Sequence, residues 1–322
     1  MSKSFISLLR NLIPLGLGFF LIYYSLNTIT VDQRALIWSY IKQAHPTPIL
    51  ISIIFGALSH ISRAYRWKFL LNPLGYRPSF INLTGAVLIN YLSNLGIPRS
   101  GDVLRVTVIS AYENIPFSKG LGTVISERVI DLVMMILLVF SAMYMGGDWV
   151  KDQLGDSSVL LVSFGVFIGM VVTIMAVPFL INTKRFPYLA RIKDFFLNII
   201  KGIISMRSIP NAVAFWTHTI FIWLMYILMF WVIQFSLPEA ALISPQVALT
   251  GFVAGGISIV VTNGGIGLYP IAVAAVLSHY DYGMPYEMAL AYGWIAWSTQ
   301  TLMILLFGGL SFAFLPVFNR KK

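Results

Sequence analysis

Asn94-Leu95-Gly96-Ile97-Pro98-Arg99-Ser100-Gly101-Asp102-Val103-Leu104-Arg105 puts two arginines and an aspartate inside a very apolar sequence. The same stretch carries two glycines and a proline, residues that interrupt a helix. A second stretch echoes it far down the chain: Thr262-Asn263-Gly264-Gly265-Ile266-Gly267-Leu268-Tyr269-Pro270. The runs leading into them are alike, Thr84-Gly85-Ala86-Val87 for the first and Thr250-Gly251-Phe252-Val253 for the second. In both, Asn-x-Gly-Ile follows about ten residues later. Two broken apolar segments at matching positions in two halves are the sequence mark of a substrate site in a secondary transporter.

The chain around these stretches is 58% hydrophobic and 11% charged, with a mean hydropathy of +0.82. Soluble domains carry roughly 25% charged residues, so the composition is that of an integral membrane protein. There are no cysteines, which excludes disulfides, thiol catalysis and cysteine-based metal sites. No two of His45, His60, His218 and His279 are spaced as metal ligands on one helix. No metal or cofactor is therefore expected. The net charge of +10 is read as the positive-inside bias of a membrane protein, not as a nucleic-acid surface.

Apolar runs predict full spans over residues 12–29, 48–65, 121–145, 159–181, 212–235 and 289–318. The first, preceded by Lys3 and Arg10, reads as an uncleaved signal anchor. The broken segments, hairpins over residues 80–116 and 247–277, are predicted to enter and leave the membrane on one side. With both termini cytoplasmic, most of the 22 basic residues then fall inside, and Arg34, Lys42 and Lys151 face outside. Arg63 and Arg66 are expected to snorkel to the interface at the end of the second span. The first hairpin then enters from the cytoplasm and the second from outside, so their tips point at each other. The expectation is an all-α polytopic protein in a single transmembrane domain spanning 1–322, with six spans and two re-entrant hairpins. These form an inverted repeat, the first half over residues 1–146 and the second over 159–322. The connector 184–207 alternates apolar and basic residues at helical spacing and is read as an interfacial amphipathic helix.

Charges inside spans are costly and mark function by default. The first repeat supplies Arg99, Asp102, Arg105, Glu127, Arg128 and Asp131. Glu127 and Asp131 share a helix face, and Arg128 and Asp131 can pair. Arginine's planar fork suits phosphate or carboxylate, so Arg99, Arg105 and Arg128 are candidate anion ligands, with Asn94 beside them. Asp102, Glu127 and Asp131 form a coupling or purely structural charge cluster; the residues leave both readings open. Asn263, Gly264, Gly265 and Gly267 can expose backbone N–H groups at a helix start, which favours an anion, or can simply form a tight turn. His60 and His218 are read as helix-packing hydrogen bonders.

These motifs resemble the flippase-like transmembrane domain of lysylphosphatidylglycerol synthases, over nearly the whole chain. Pro98-Arg99-Ser100-Gly101-Asp102-Val103-Leu104-Arg105 is similar to that family's Pro-x-x-x-Gly-acidic-x-x-Arg. Glu127-Arg128-Val129-Ile130-Asp131 and Gly264-Gly265-Ile266-Gly267 carry the rest of the likeness. Pro270 stands where the family often has a glutamate, and an arginine usual in the final span has no match around Trp294. The resemblance implies a stand-alone copy of the membrane domain, without the synthetase domain. It also implies a cell (inner) membrane location and translocation of an anionic lipid, a phospholipid or polyprenyl phosphate. The expected partners are anionic membrane lipids, with no nucleic acid; a homo-oligomer is admitted. Transport of a small soluble anion and a non-transporting scaffold remain the alternatives. An enzyme is the least expected class, since no acid, base and nucleophile assemble from these residues.

Overall fold

The structure, a computed structural model, describes residues 29–97, 100–145, 211–237, 243–279 and 284–320. The isolated positions 16, 20, 21, 23, 27 and 209 are described as well. Arg99, most of the first expected span, the span 159–181 and the connector 184–207 lie outside the described residues.

All regular structure among the described residues is helical. We number the helices α1 Val31–Gln43, α2 Pro46–Leu71, α3 Phe80–Gly96, α4 Gly101–Glu113, α5 Phe117–Met145, α6 Ala212–Trp231, α7 Pro245–Val261, α8 Leu268–Leu277 and α9 Tyr286–Phe318. Short 3-10 turns extend α2 over Asn72–Leu74 and α6 over Val232–Ser236, and Asn263–Gly265 forms a third. Three of these units are long and apolar enough to cross a membrane: Pro46–Leu74, Ala212–Ser236 and Tyr286–Phe318. The chain is a polytopic all-α membrane protein.

The expected spans correspond to α2, α5, α6 and α9, and the two interrupted segments to the pairs α3–α4 and α7–α8. One element differs from the sequence reading. Residues 31–43, outside every expected span and hairpin, form α1. Its start is fixed by a capping box: Thr30 Oγ1 accepts from Gln33 N, and the Gln33 side chain accepts from Thr30 N. Asp32, Arg34 and Lys42 keep the stretch from reading as an apolar run, and Ile37 is the one residue within it that is buried.

The longest helix, α9, acts as a ruler. Its 33 residues extend about 50 Å, more than the roughly 30 Å of a hydrocarbon core. Hairpin α3–α4 lies along its C-terminal half. Asn82, near the start of α3, exchanges hydrogen bonds of 2.8 and 3.0 Å with Asn319. Further along, Leu315 packs on Gly85 and Gly308 on Leu92. Hairpin α7–α8 lies along the N-terminal half. Gly293 packs against the Pro270 backbone, and the Trp297 indole donates to the Gly264 carbonyl at 2.8 Å. The tips therefore converge near the middle of α9, where Asn263 Nδ2 donates to the Leu95 carbonyl at 3.0 Å.

The open ends of the hairpins lie at opposite ends of α9. At one, Glu113 Oε1 accepts from Ser79 N and Asn82 Nδ2, joining the end of α4 to the start of α3. At the other, Gln33 Nε2 donates to Glu287 at 2.8 Å, tying α1 to the start of α9. There Gln234 also accepts from Ile243 N, just before α7. The buried apolar side chains divide accordingly. One cluster joins α2, α3, α4 and α5 around Trp67, Leu83 and Ile109. The larger joins α7, α8 and α9 around Val273, Leu277 and Tyr292.

Two glycines in opposite halves of α9 test this packing. A Cβ at Gly293 would sit 2.7 Å from Pro270 Cα, whereas one at Gly309 meets nothing within 4 Å. Gly293→Ala is expected to cost about 1–3 kcal/mol, because a backbone must move. Gly309→Ala should be neutral or gain up to about 1 kcal/mol from helix propensity. Thermal unfolding of both variants in detergent checks the contrast.

Candidate functional site

Three helices of the first half bring their charges together. On α2, Arg63, Arg66 and Trp67 fall at positions i, i+3 and i+4, on one face. On α5, Glu127 and Asp131 are one turn apart with Arg128 beside them. On α4, Asp102 and Arg105 lie in the first turns after the hairpin tip. The result is a continuous ionic network. Arg105 Nη1 lies 2.6 Å from Glu127 Oε2. Arg66 Nε is 3.6 Å from Glu127 Oε1, and Arg66 Nη2 is 3.0 Å from Asp131 Oδ1. Arg63 Nη1 reaches the other Asp131 oxygen. Arg128 grips Asp102 through Nε and Nη2, and its Nη1 lies 3.8 Å from Asp131.

Burial separates two parts. Arg66 and Arg105 side chains are 0% exposed and Glu127 is 1% exposed. The guanidinium of Arg105 lies 3.7 Å from the centre of the Trp67 ring, whose indole N–H is held by Thr123 Oγ1 at 2.8 Å. Such stacking is a setting that favours arginine over lysine. Arg128 and Asp102 are different, with side chains 38% and 30% exposed. They form the edge of the network that solvent or a ligand can reach.

Among the described residues the network has four arginines, Arg63, Arg66, Arg105 and Arg128, and three acids, Asp102, Glu127 and Asp131. Its formal charge is one positive in excess. Arg105 Nε and Nη2 and Arg63 Nε make no hydrogen bond, while Arg66 Nε and Glu127 Oε1, 3.6 Å apart, answer each other only as an ion pair. These N–H groups are sealed, on side chains 0–3% exposed, so they add positive potential to the cluster without themselves offering a contact. Among the described residues no group of histidines and acids is arranged to hold a metal ion.

Arg63 and Arg66 do not snorkel, and this corrects the sequence reading. The helix carrying them runs on to Leu71, so both sit within it, buried and paired with α5 acids. Their spacing with Trp67 on one face was the available signal. Arg105, expected to reach a substrate, is enclosed between Glu127 and Trp67. Asn94 Oδ1 accepts the Gly101 N–H at 2.9 Å, capping the start of α4. Asn263, 4% exposed, joins the two tips instead of facing solvent. Gly264, Gly265 and Gly267 have φ of 63°, 78° and 74°, left-handed values that glycine adopts without strain. Pro270 falls in the first turn of α8, where its missing N–H costs nothing. Trp297 closes the Gly264 carbonyl, a contact with no signal in the sequence. Of the histidines, His218 bonds Ser62 at 2.8 Å, and His60 lies against Tyr91 with ring centres 4.1 Å apart.

Fold and site together define a polytopic membrane protein with two helix-broken hairpins and a buried arginine–carboxylate network. The chain belongs to the lysylphosphatidylglycerol synthase TM region family, whose profile matches residues 11–308. It is 34% identical over 125 residues to glycosyltransferase AglD of Haloferax volcanii, covering 38% of this chain and 20% of that protein. It is 28% identical over 144 residues to the UPF0104 membrane protein MJ1595 of Methanocaldococcus jannaschii, covering 44% of this chain and 41% of the relative. A UPF0104 membrane protein of Pyrococcus horikoshii, PH1989, is 29% identical over 152 residues, 45% of this chain and 44% of the relative. The chain thus spans less than half the length of each of these three relatives. No solved structure matches it.

The two parts of the network should respond differently to truncation. Arg105→Ala strands the Glu127 carboxylate in a closed pocket and is expected to cost about 3–5 kcal/mol. Arg128→Ala breaks a half-exposed pair and should cost about 1 kcal/mol or less. Melting temperatures in detergent read both.

Proposed function

We propose that this protein moves an anionic lipid between the two leaflets of a membrane. The observation that carries the reading is the meeting of two broken-helix hairpins at mid-length of α9, beside a cationic network with one accessible arginine. In this proposal the two halves form an inverted repeat, residues 1–146 and 159–322. The hairpins are re-entrant, and the termini face the cytoplasm of the inner membrane. Irregular backbone at membrane depth is tolerated where it is buried or lines a wet cavity, and such places hold transporter substrate sites.

The roles divide as the burial does. Arg128, with Arg99 next to the first tip, takes the lipid phosphate by exchange for Asp102. Arg105, Arg66 and Arg63 hold the positive potential from behind, fixed by Glu127 and Asp131. The Asn263–Gly267 turn offers backbone groups from the opposite tip. Lipid tails stay in the bilayer. Movement of one half against the other exposes the headgroup to alternate sides. The glycosyltransferase name of one relative belongs to a protein of which the match covers a fifth. No nucleophile or nucleotide loop is read in this chain, so the proposal is transport.

Reconstitution tests it. Liposomes containing the protein should translocate a fluorescent phosphatidylglycerol well above the empty-vesicle rate. Arg128→Gln should slow this at least about tenfold, the loss of one charge-assisted contact of roughly 1.4 kcal/mol or more, with its melting temperature near wild type. A wild-type rate equal to empty vesicles removes the proposal. Uptake of inorganic phosphate without lipid movement would replace it with soluble-anion transport.

A further inference from the structure

A groove of 540 Å³ lies on the outer face where α2, α3 and the C-terminal half of α9 meet, away from the ionic network. Its walls include Ile61, Phe80, Ile81, Leu310, Phe314 and Phe318, all more than a third exposed. The volume is within the range of small-ligand sites. Two of the contributing helices, α2 and α9, are long and apolar enough to cross a membrane. An apolar face on helices of that length suits acyl chain.

Three features go beyond an apolar surface. First, among the described residues one end of the groove carries two basic residues, against the one carboxylate of Glu113, which is engaged by Ser79 N and Asn82 Nδ2. Lys68 Nζ lies 5.7 Å from the centre of the Phe80 ring and 5.3 Å from that of Tyr65, and Arg320 follows the end of α9. Second, Thr84 lines the groove, and its Oγ1 is buried with no hydrogen-bond partner. A threonine in a helix ordinarily bonds back to its own backbone, as Thr107 and Thr250 do here. Third, Thr84 is one helical turn above Phe80, about 6 Å. A glycerophospholipid has that order of groups: a phosphate, ester carbonyls a few ångströms deeper, then an acyl chain.

We propose that this groove is a binding site for one anionic glycerophospholipid of the surrounding leaflet, distinct from the translocated lipid. Lys68 pairs with the phosphate. The Thr84 hydroxyl donates to an ester carbonyl. One acyl chain lies along Ile61, Leu310 and Phe314. The basic end selects an anionic headgroup over a zwitterionic one. Because the bound lipid joins α3 to α9 at the base of the first hairpin, it stabilises that hairpin whether or not the protein transports anything.

The test is thermal unfolding of the full chain in detergent with added phosphatidylglycerol or phosphatidylcholine, together with native mass spectrometry. Phosphatidylglycerol should raise the melting temperature by about 3 °C or more beyond phosphatidylcholine. Lys68→Glu should abolish the difference between the lipids while leaving the lipid-free melting temperature near wild type. Ser311→Trp, at a lining position, should abolish the shift with both lipids. Thr84→Val, which keeps the shape, should reduce it. Equal shifts for the two lipids in wild type overturn the headgroup assignment. A phosphatidylglycerol shift that survives both Lys68→Glu and Ser311→Trp overturns the groove. Loss of a dimer in Ser311→Trp, without any change in lipid response, gives the face to a second copy of the chain and overturns the proposal. None of these readouts depends on lipid translocation, so the transport reading stands or falls separately.

Discussion

A helix that breaks inside a membrane protein must have its orphaned amide and carbonyl groups answered, because hydrocarbon answers none. Here the two breaks answer each other. The Leu95 carbonyl at the end of α3 takes the Asn263 amide of the other hairpin. The Gly264 carbonyl takes the indole of Trp297 on α9. The Gly101 amide that begins α4 is capped within its own hairpin by Asn94. Neither tip is complete without its surroundings, and this dependence holds the hairpins against α9. Glycines then set how closely the elements approach, as where Gly293 admits the Pro270 backbone.

The ionic network rests on this arrangement. Because α4 starts at the tip of the first hairpin, Asp102 and Arg105 are delivered to α5 at a fixed depth. Arg105 then finds Glu127, and Asp102 finds Arg128. Removing charges from water is costly, and mutual attraction repays it only when geometry and pairing are good. The network meets that demand through shared acids: Asp131 serves both Arg63 and Arg66, and Glu127 serves Arg66 and Arg105. What is left over is one positive charge and several unanswered guanidinium N–H groups. That surplus, with Arg128 at the open edge, is the feature on which the proposed anion binding rests.

Much of this was legible in the sequence, and the reason is local. Glycine, proline and arginine inside an apolar run contradict a plain span, so residues 94–105 and 262–270 betray the hairpins without any structure. The acids Asp102, Glu127 and Asp131 were legible for the same reason. Arg63 and Arg66 were not. At the end of an apolar run they look like residues reaching for the interface, and their partner Asp131 lies 68 and 65 residues away. Helix α1 was also hidden: its evidence is a Thr30–Gln33 capping box, a signal of helix start that hydropathy does not contain. Trp297 shows no sign of its role in the sequence, because its acceptor Gly264 lies 33 residues away.

The claim on which all else depends is that the two tips touch. The sequence has no cysteine, so a pair can be introduced without background. Leu95→Cys with Asn263→Cys places the thiols at the tip contact, where the Asn263 side chain reaches the Leu95 carbonyl at 3.0 Å without a left-handed backbone. The measurement is crosslinking of this pair in native membranes by a short bifunctional thiol reagent, followed as a mobility shift. Efficient crosslinking within one chain, absent from either single-cysteine variant, is the predicted result. Failure to crosslink, while both cysteines still react singly with a small maleimide, would contradict the meeting of the hairpins and the site built upon it.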